Sequence, residues 1–194
     1  MLLANKLSFT RIFFAPFFFI VYNTARRFGE YTEIILIALF ILLIFVEFTD
    51  FLDGYFARKL NQVSNTGKLL DPFADAFLHI SIFFCFAMAG IMPDFLFILI
   101  FYREFFMLFL RMLSIKKGVA VAARMGGKFK TVLYIGACFY TLLLEILSAA
   151  GITQPELPLK TILAAVFYLC AAASCLSFAD YLIQFRRLSN APPR

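Results

Sequence analysis

Six apolar runs dominate this chain, at roughly 8–25, 33–57, 69–90, 95–116, 130–150 and 159–185. A helix needs about 20 apolar residues to cross the hydrocarbon core of a bilayer. In lipid the backbone must satisfy its own hydrogen bonds, and the helix does so within one segment. The chain is 194 residues long, 63% hydrophobic, with 28 Phe and a mean hydropathy of +0.89. A soluble domain of this length has too little interior to hide that much apolar surface. The expectation is an all-α integral membrane protein: a six-transmembrane-helix bundle forming one domain over 1–194. No small-residue cleavage site follows the first run, so it reads as a retained span. Gly29–Glu30, the polar stretch 58–68, Gly90–Asp94, 116–128 and Gly151–Pro158 separate the runs.

Charge orients the bundle. Six spans put both termini on one side, and the links on that side hold fourteen of the 18 basic residues. The opposite side holds Arg26, Arg27 and Lys160, and Arg103 lies inside a run. The positive-inside rule makes the basic side, with both termini, cytoplasmic. A net charge of +6 distributed in this way reflects orientation and does not suggest nucleic-acid binding. Cys85, Cys138, Cys170 and Cys175 lie in apolar runs without metal-like spacing, and no disulfide is expected.

On the same side, Asp50, Asp53, Asp71 and Asp75 fall at spacings of three and four around the second link. Helical geometry puts Asp50 near Asp53 and Asp71 near Asp75. Carboxylates beside lipid are costly unless paired, solvated or bound to cations. A helical hairpin brings the two faces together, and four such side chains make a divalent-cation site. Gly54 and Ala57 share the face of Asp50, and Gly67 and Ala74 share that of Asp71. Small residues there leave room for a ligand, or serve helix packing.

The pattern D-x2-D-G-x2-A-R-x8-G-x3-D-x3-D, complete from Asp50 to Asp75, resembles the signature of the CDP-alcohol phosphotransferases. The six-span layout is also similar to theirs. The resemblance implies an enzyme that transfers a phosphoalcohol from a CDP-linked donor to an acceptor hydroxyl and releases CMP. It implies two divalent cations, Mg²⁺ or Mn²⁺, held by Asp50, Asp53, Asp71 and Asp75, with Asp75 as the base for the acceptor hydroxyl. It places Asn5, Gly54, Ala57, Arg58 and Gly67 around the nucleotide and diphosphate. It also implies a homodimer in the cell inner (cytoplasmic) membrane. The chemistry agrees. Two cations neutralise a diphosphate before a nucleophile approaches, Arg58 offers a forked phosphate contact, and an alcohol needs a base.

Three further segments narrow the resemblance. Asn5-Lys-Leu7-Ser8-Phe-Thr-Arg11 resembles the amino-terminal N-x-L-[ST]-x2-R of bacterial phosphatidylglycerophosphate synthases, with Ala4 in place of their usual proline. Arg103-Glu104-Phe105 with Leu110-Arg111 resembles their R-E-F-x4-L-R. Gly127-Lys128-Phe-Lys130-Thr131 resembles their G-K-x-K-T. Together these imply CDP-diacylglycerol as donor and glycerol 3-phosphate, a phosphorylated small alcohol, as acceptor. Ala76 stands where those enzymes commonly have lysine. The alternative keeps the reaction with inositol phosphate, serine or phosphatidylglycerol as acceptor.

Physical reasoning also supports a phosphate-bearing acceptor. Arg103 lies among Phe101, Tyr102, Phe105 and Phe106, Arg111 falls on roughly the same face, and Lys128 and Lys130 open the fifth helix, where backbone donors favour anions. These four make a basic pocket. Otherwise Arg103 is in a structural ion pair with Glu104 or another span, and the lysines are positive-inside anchors. His79, four residues after Asp75, is either a packed core histidine or a partner of a ligating carboxylate. Glu47, Glu145 and Asp180 lie in or near spans with no partner legible. A cation transporter is the remote rival, but transporters place such sites near the midplane in broken helices. Here the acids gather at one edge.

Overall fold

The computed structural model describes residues 3–29, 31–59, 67–116, 125–152 and 157–189, with side chains at 9–29, 31–50, 70–116, 126–152 and 159–187. They form six α-helices and, among the described residues, no strand. The helices are α1 (Leu3–Phe28), α2 (Thr32–Lys59), α3 (Gly67–Met88), α4 (Asp94–Lys116), α5 (Met125–Ala149) and α6 (Leu157–Ser189). Each corresponds to one apolar run. The helices overrun the apolar stretches at the basic end: α1 begins at Leu3, α5 at Met125, and α6 continues to Ser189. A hydropathy reading follows the lipid-facing part, whereas backbone hydrogen bonding continues beyond it.

The turns have local causes. After α3, the Gly90 amide donates to the Ala87 carbonyl (2.9 Å) and the Ile91 amide to that of Phe86 (2.9 Å). That pair of bonds closes a helix end when the residue between adopts positive φ, and Gly90 has φ 71°. Gly151 (φ 69°) ends α5 in the same way, with bonds Gly151 N to Ser148 O and Ile152 N to Leu147 O, both 3.1 Å. The Pro93 carbonyl accepts from Leu96 and Phe97 and so opens α4.

Helices α1, α3 and α5 run one way, and α2, α4 and α6 the other. Arg11 near the start of α1 meets Asp50 late in α2 and Asp75 early in α3. Tyr22 late in α1 meets Glu145 late in α5, and Ser114 late in α4 meets Tyr181 late in α6. Helix α3 packs against α1, α4 and α5, while α6 packs against α4 and α5. The core is aromatic. Tyr22 meets Phe86 edge-on (5.9 Å), Phe86 meets Phe167 (6.4 Å), Phe167 meets Phe83 (6.0 Å), and Phe83 meets Tyr134 (5.1 Å). Tyr22, Phe83, Phe86 and Phe167 are fully buried.

Large apolar side chains also cover the outside, among them Phe13, Phe28, Phe45, Phe129 and Leu176. The segments Thr32–Asp50, Leu70–Met88, Gly126–Ala149 and Leu159–Arg187 are by themselves long and apolar enough to cross a membrane. Helix α1 carries Arg11, and α4 carries Arg103, Glu104 and Arg111. The chain is an all-α integral membrane protein. All four cysteines are free thiols, and Cys85, Cys138 and Cys170 are buried. Gly90→Ala meets no atom within 4 Å, so its cost is that of the backbone alone. It is expected to destabilise the bundle by about 1 kcal/mol, measured by thermal unfolding in detergent.

Candidate active site

Each of the first three helices buries a stripe, and each stripe ends in charge at the same end of the bundle. On α2 the stripe is Leu36, Leu39, Leu43 and Val46, followed by Asp50. On α3 Leu78 and Ile82 continue back to Asp75 and Asp71, and on α1 Ala15, Phe18 and Tyr22 lead back to Arg11. Spacings of three, four and seven keep these residues on one helical face. Packing the apolar stripes together therefore brings the charges together.

Arg11 is 2% exposed and forks between two acids. Its Nη2 lies 2.5 Å from Asp50 Oδ1, and its Nη1 pairs with Asp75 Oδ1. Two nearby carboxylates repel, and a planar guanidinium with separate donors can satisfy both. Asp50 and Asp75 remain about one-third exposed (35% and 36% of each side chain), open towards the basic end. Asp71 lies one turn before Asp75 on α3. Asp53, Gly54, Ala57 and Arg58 are in the last turns of α2, Gly67 opens α3, and Asn5 is in the first turns of α1. The side chains of these last six residues lie outside the described ones.

A second cluster joins α4, α5 and α6. Oε1 of Glu104 accepts from Arg103 Nη1 (2.7 Å), Lys130 Nζ (2.7 Å) and the Tyr134 hydroxyl (3.1 Å). Arg103 Nε donates to the Ser174 carbonyl (2.9 Å), and Lys130 Nζ lies 4.7 Å over the Tyr134 ring. Arg103 and Glu104 are 5% and 4% exposed, so the paired state is what makes their burial tolerable. Arg103 is thus in a structural ion pair with Glu104, with Lys130 on the same oxygen. Arg111 is half-buried, two turns further along α4, and Lys128 is exposed at the start of α5. Arg111 and Lys130 both lie within electrostatic reach of Asp75, so the basic cluster adjoins the acids.

His79 is buried beneath Asp75. Its Nδ1–H donates to the Asp75 carbonyl (2.8 Å), and its Nε2 lies 3.3 Å from Glu47 Oε1. It contacts the Asp75 main chain and not the carboxylate, and its ring packs edge-on against Tyr134 (6.0 Å). Glu145 takes the Tyr22 hydroxyl (2.6 Å) and Arg26 at the other end of the bundle. That pair accounts for a basic residue on the otherwise base-poor side. Asp180 accepts from Gln184 (3.2 Å).

This arrangement pairs an acidic face with a basic cluster at one end of a membrane bundle, which suits transfer between anionic substrates. The sequence pattern of the CDP-alcohol phosphatidyltransferases matches residues 1–176, and the chain belongs to that family. It is similar to the CDP-diacylglycerol–glycerol-3-phosphate 3-phosphatidyltransferase of Treponema pallidum, 38% identical over 186 residues, covering 94% of this chain and 84% of that protein. It is also similar to the Bacillus subtilis protein of the same name, 38% identical over 135 residues, covering 66% of this chain and 70% of that one.

The family uses divalent cations. The residues fit such ions: Asp50 and Asp75 already direct hard oxygens at one shared cationic group, with Asp71 a turn away. Among the described side chains, two carboxylates converge there.

In the sequence Arg11 has a place in a motif and among the fourteen basic residues of the cytoplasmic side, but no partner. Its signal was available: a lone arginine inside an apolar run requires a counter-charge. Glu104→Ala would leave Arg103 and Lys130 buried without their acid. The expected loss is roughly 3–5 kcal/mol of stability, with Glu104→Gln less damaging; thermal melts of both variants in detergent check it.

Proposed function

We propose that this chain transfers the phosphatidyl group of CDP-diacylglycerol to glycerol 3-phosphate, giving phosphatidylglycerol phosphate and CMP, and that it works as one domain. The observation that carries this reading is the meeting of Asp50 and Asp75, from the two halves of one acidic pattern, beside a basic cluster. Two relatives at 38% identity bear the name of this reaction and support the choice of acceptor.

In the reaction, the acceptor hydroxyl attacks the phosphatidyl phosphorus, and the bond from that phosphorus to the oxygen of CMP breaks. Asp75 takes the hydroxyl proton. Two divalent cations, Mg²⁺ or Mn²⁺, held by Asp50, Asp53, Asp71 and Asp75, would neutralise the diphosphate and the leaving CMP. Asn5, Gly54, Ala57, Arg58 and Gly67 line the nucleotide and diphosphate, with Arg58 forking onto phosphate oxygens. Arg103, Arg111, Lys128 and Lys130 receive the acceptor phosphate. Glu104 Oε1 engages Arg103 through Nη1, and Nε goes to the Ser174 carbonyl, which supports a fixed guanidinium there. Ala76, buried where similar enzymes commonly have lysine, is the feature that favours the second reading, in which the acceptor is inositol phosphate, serine or phosphatidylglycerol.

The bundle sits in the cell inner membrane as a homodimer, with both termini and the site cytoplasmic. Reporter fusions after Leu188 and within 151–158 are expected to report opposite sides. The same side for both would overturn this orientation.

Paired kinetics separate the two ends of the site. Asp75→Asn is expected to lose turnover while part of the donor binding survives; near-normal turnover would remove Asp75 as the base. Arg103→Ala and Arg111→Ala are expected to raise KM for glycerol 3-phosphate or lower kcat about tenfold to a hundredfold, with donor affinity changing far less. Arg103→Lys falls between, because it keeps charge without the planar fork. Equal losses at both ends would make these arginines supports of the bundle.

A further inference from the structure

The fork of Arg11 has a consequence for loading the site. We infer that Arg11 is an internal counter-cation that holds Asp50 and Asp75 together until a divalent ion displaces it, and that it thereby sets the metal affinity of the site. This rests on the proposed role of those acids as metal ligands.

Nη2 of Arg11 lies 2.5 Å from Oδ1 of Asp50, and Nη1 pairs with Oδ1 of Asp75. A divalent ion held by Asp50 and Asp75 would compete with the guanidinium for the carboxylate oxygens it pairs with. Charge favours an occupant at all times, because two carboxylates at one point repel and neither stays ionised cheaply beside lipid. The arginine meets this need from within the chain, and no exchange with solvent is required.

The paired pose also has a cost that favours release. Arg11 is buried, yet its Nε has no hydrogen-bond partner among the described residues. A buried donor left unmade is destabilising, and a guanidinium that swings out recovers that bond. Arg11 acts through Asp50 and Asp75 and is a positioning residue. The pairing keeps the two acids at one point before the ion arrives, and an ion that takes both acids must break it.

The test uses the full-length protein in detergent, stripped with a chelator and titrated with Mn²⁺ alone. Binding is read as loss of the free-ion signal in electron paramagnetic resonance, and stability by circular-dichroism melting. Arg11→Met removes the competitor, so half-saturating Mn²⁺ is expected to fall at least about tenfold, the scale of a lost charge-assisted contact. The metal-free Arg11→Met protein melts below wild type, and the rise in melting temperature on adding Mn²⁺ is larger in the variant. In Arg11→Lys a single ammonium cannot fork to both acids, and half-saturation is expected between the two. If Arg11→Met does not fold without metal, Arg11→Lys decides the matter by the same shift. Unchanged or weaker Mn²⁺ binding in these variants would overturn the inference, making Arg11 a structural tie. Absence of saturable Mn²⁺ binding in wild type, with Asp71→Asn indistinguishable from it, would instead remove the metal reading beneath it.

Discussion

The shared ion pair of Arg11 with Asp50 and Asp75 is the interaction that ties the charged ends of α1, α2 and α3 together in this structure. Each of α1, α2 and α3 buries an apolar stripe that ends in one of these charges. In a low-dielectric interior a lone charge is far more costly than a paired one. The relative sliding of the three helices is therefore fixed by the level at which the charges meet. A helix displaced by one turn would bury an apolar stripe equally well, since lipid tails are as apolar as its partners, but it would leave an acid or a guanidinium alone.

Glu104 obeys the same rule on the other half of the molecule. One oxygen takes an arginine, a lysine and a tyrosine from two helices, and the Arg103 side chain reaches the α6 backbone. The acid-rich and base-rich clusters thus lie side by side at one end. Such an edge suits a reaction between a lipid-tailed anion and a water-soluble one. The aromatic interior and the Phe-rich exterior surround the two clusters.

The sequence made the helices legible because six apolar runs separated by glycine, proline and charge admit few other folds. That Asp50 and Asp75 come to one point was legible because helical periodicity and a long motif agree. Arg11 was not legible as their partner: the contact with Asp75 spans 64 residues of sequence, and only the packing of α1 against α3 creates it. Glu47 and Glu145 were opaque for the same reason. Their partners, His79 and the pair Tyr22 and Arg26, lie on other helices whose rotation periodicity alone does not set. Arg103 was legible as a residue needing a counter-ion, and Glu104 as a candidate for it. Lys130 arriving at the same oxygen was not, because that depends on how α5 leans on α4.

The transferred group and its acceptor define what this enzyme does. The most direct measurement incubates purified protein with CDP-diacylglycerol and Mg²⁺ or Mn²⁺ against a panel of glycerol 3-phosphate, inositol phosphate, serine and phosphatidylglycerol, with lipid products identified by mass and CMP quantified. The expected products are phosphatidylglycerol phosphate and CMP in equal amounts, only with glycerol 3-phosphate and only with metal. A different lipid as the main product would contradict the acceptor, and no CMP with any acceptor would contradict the reaction itself.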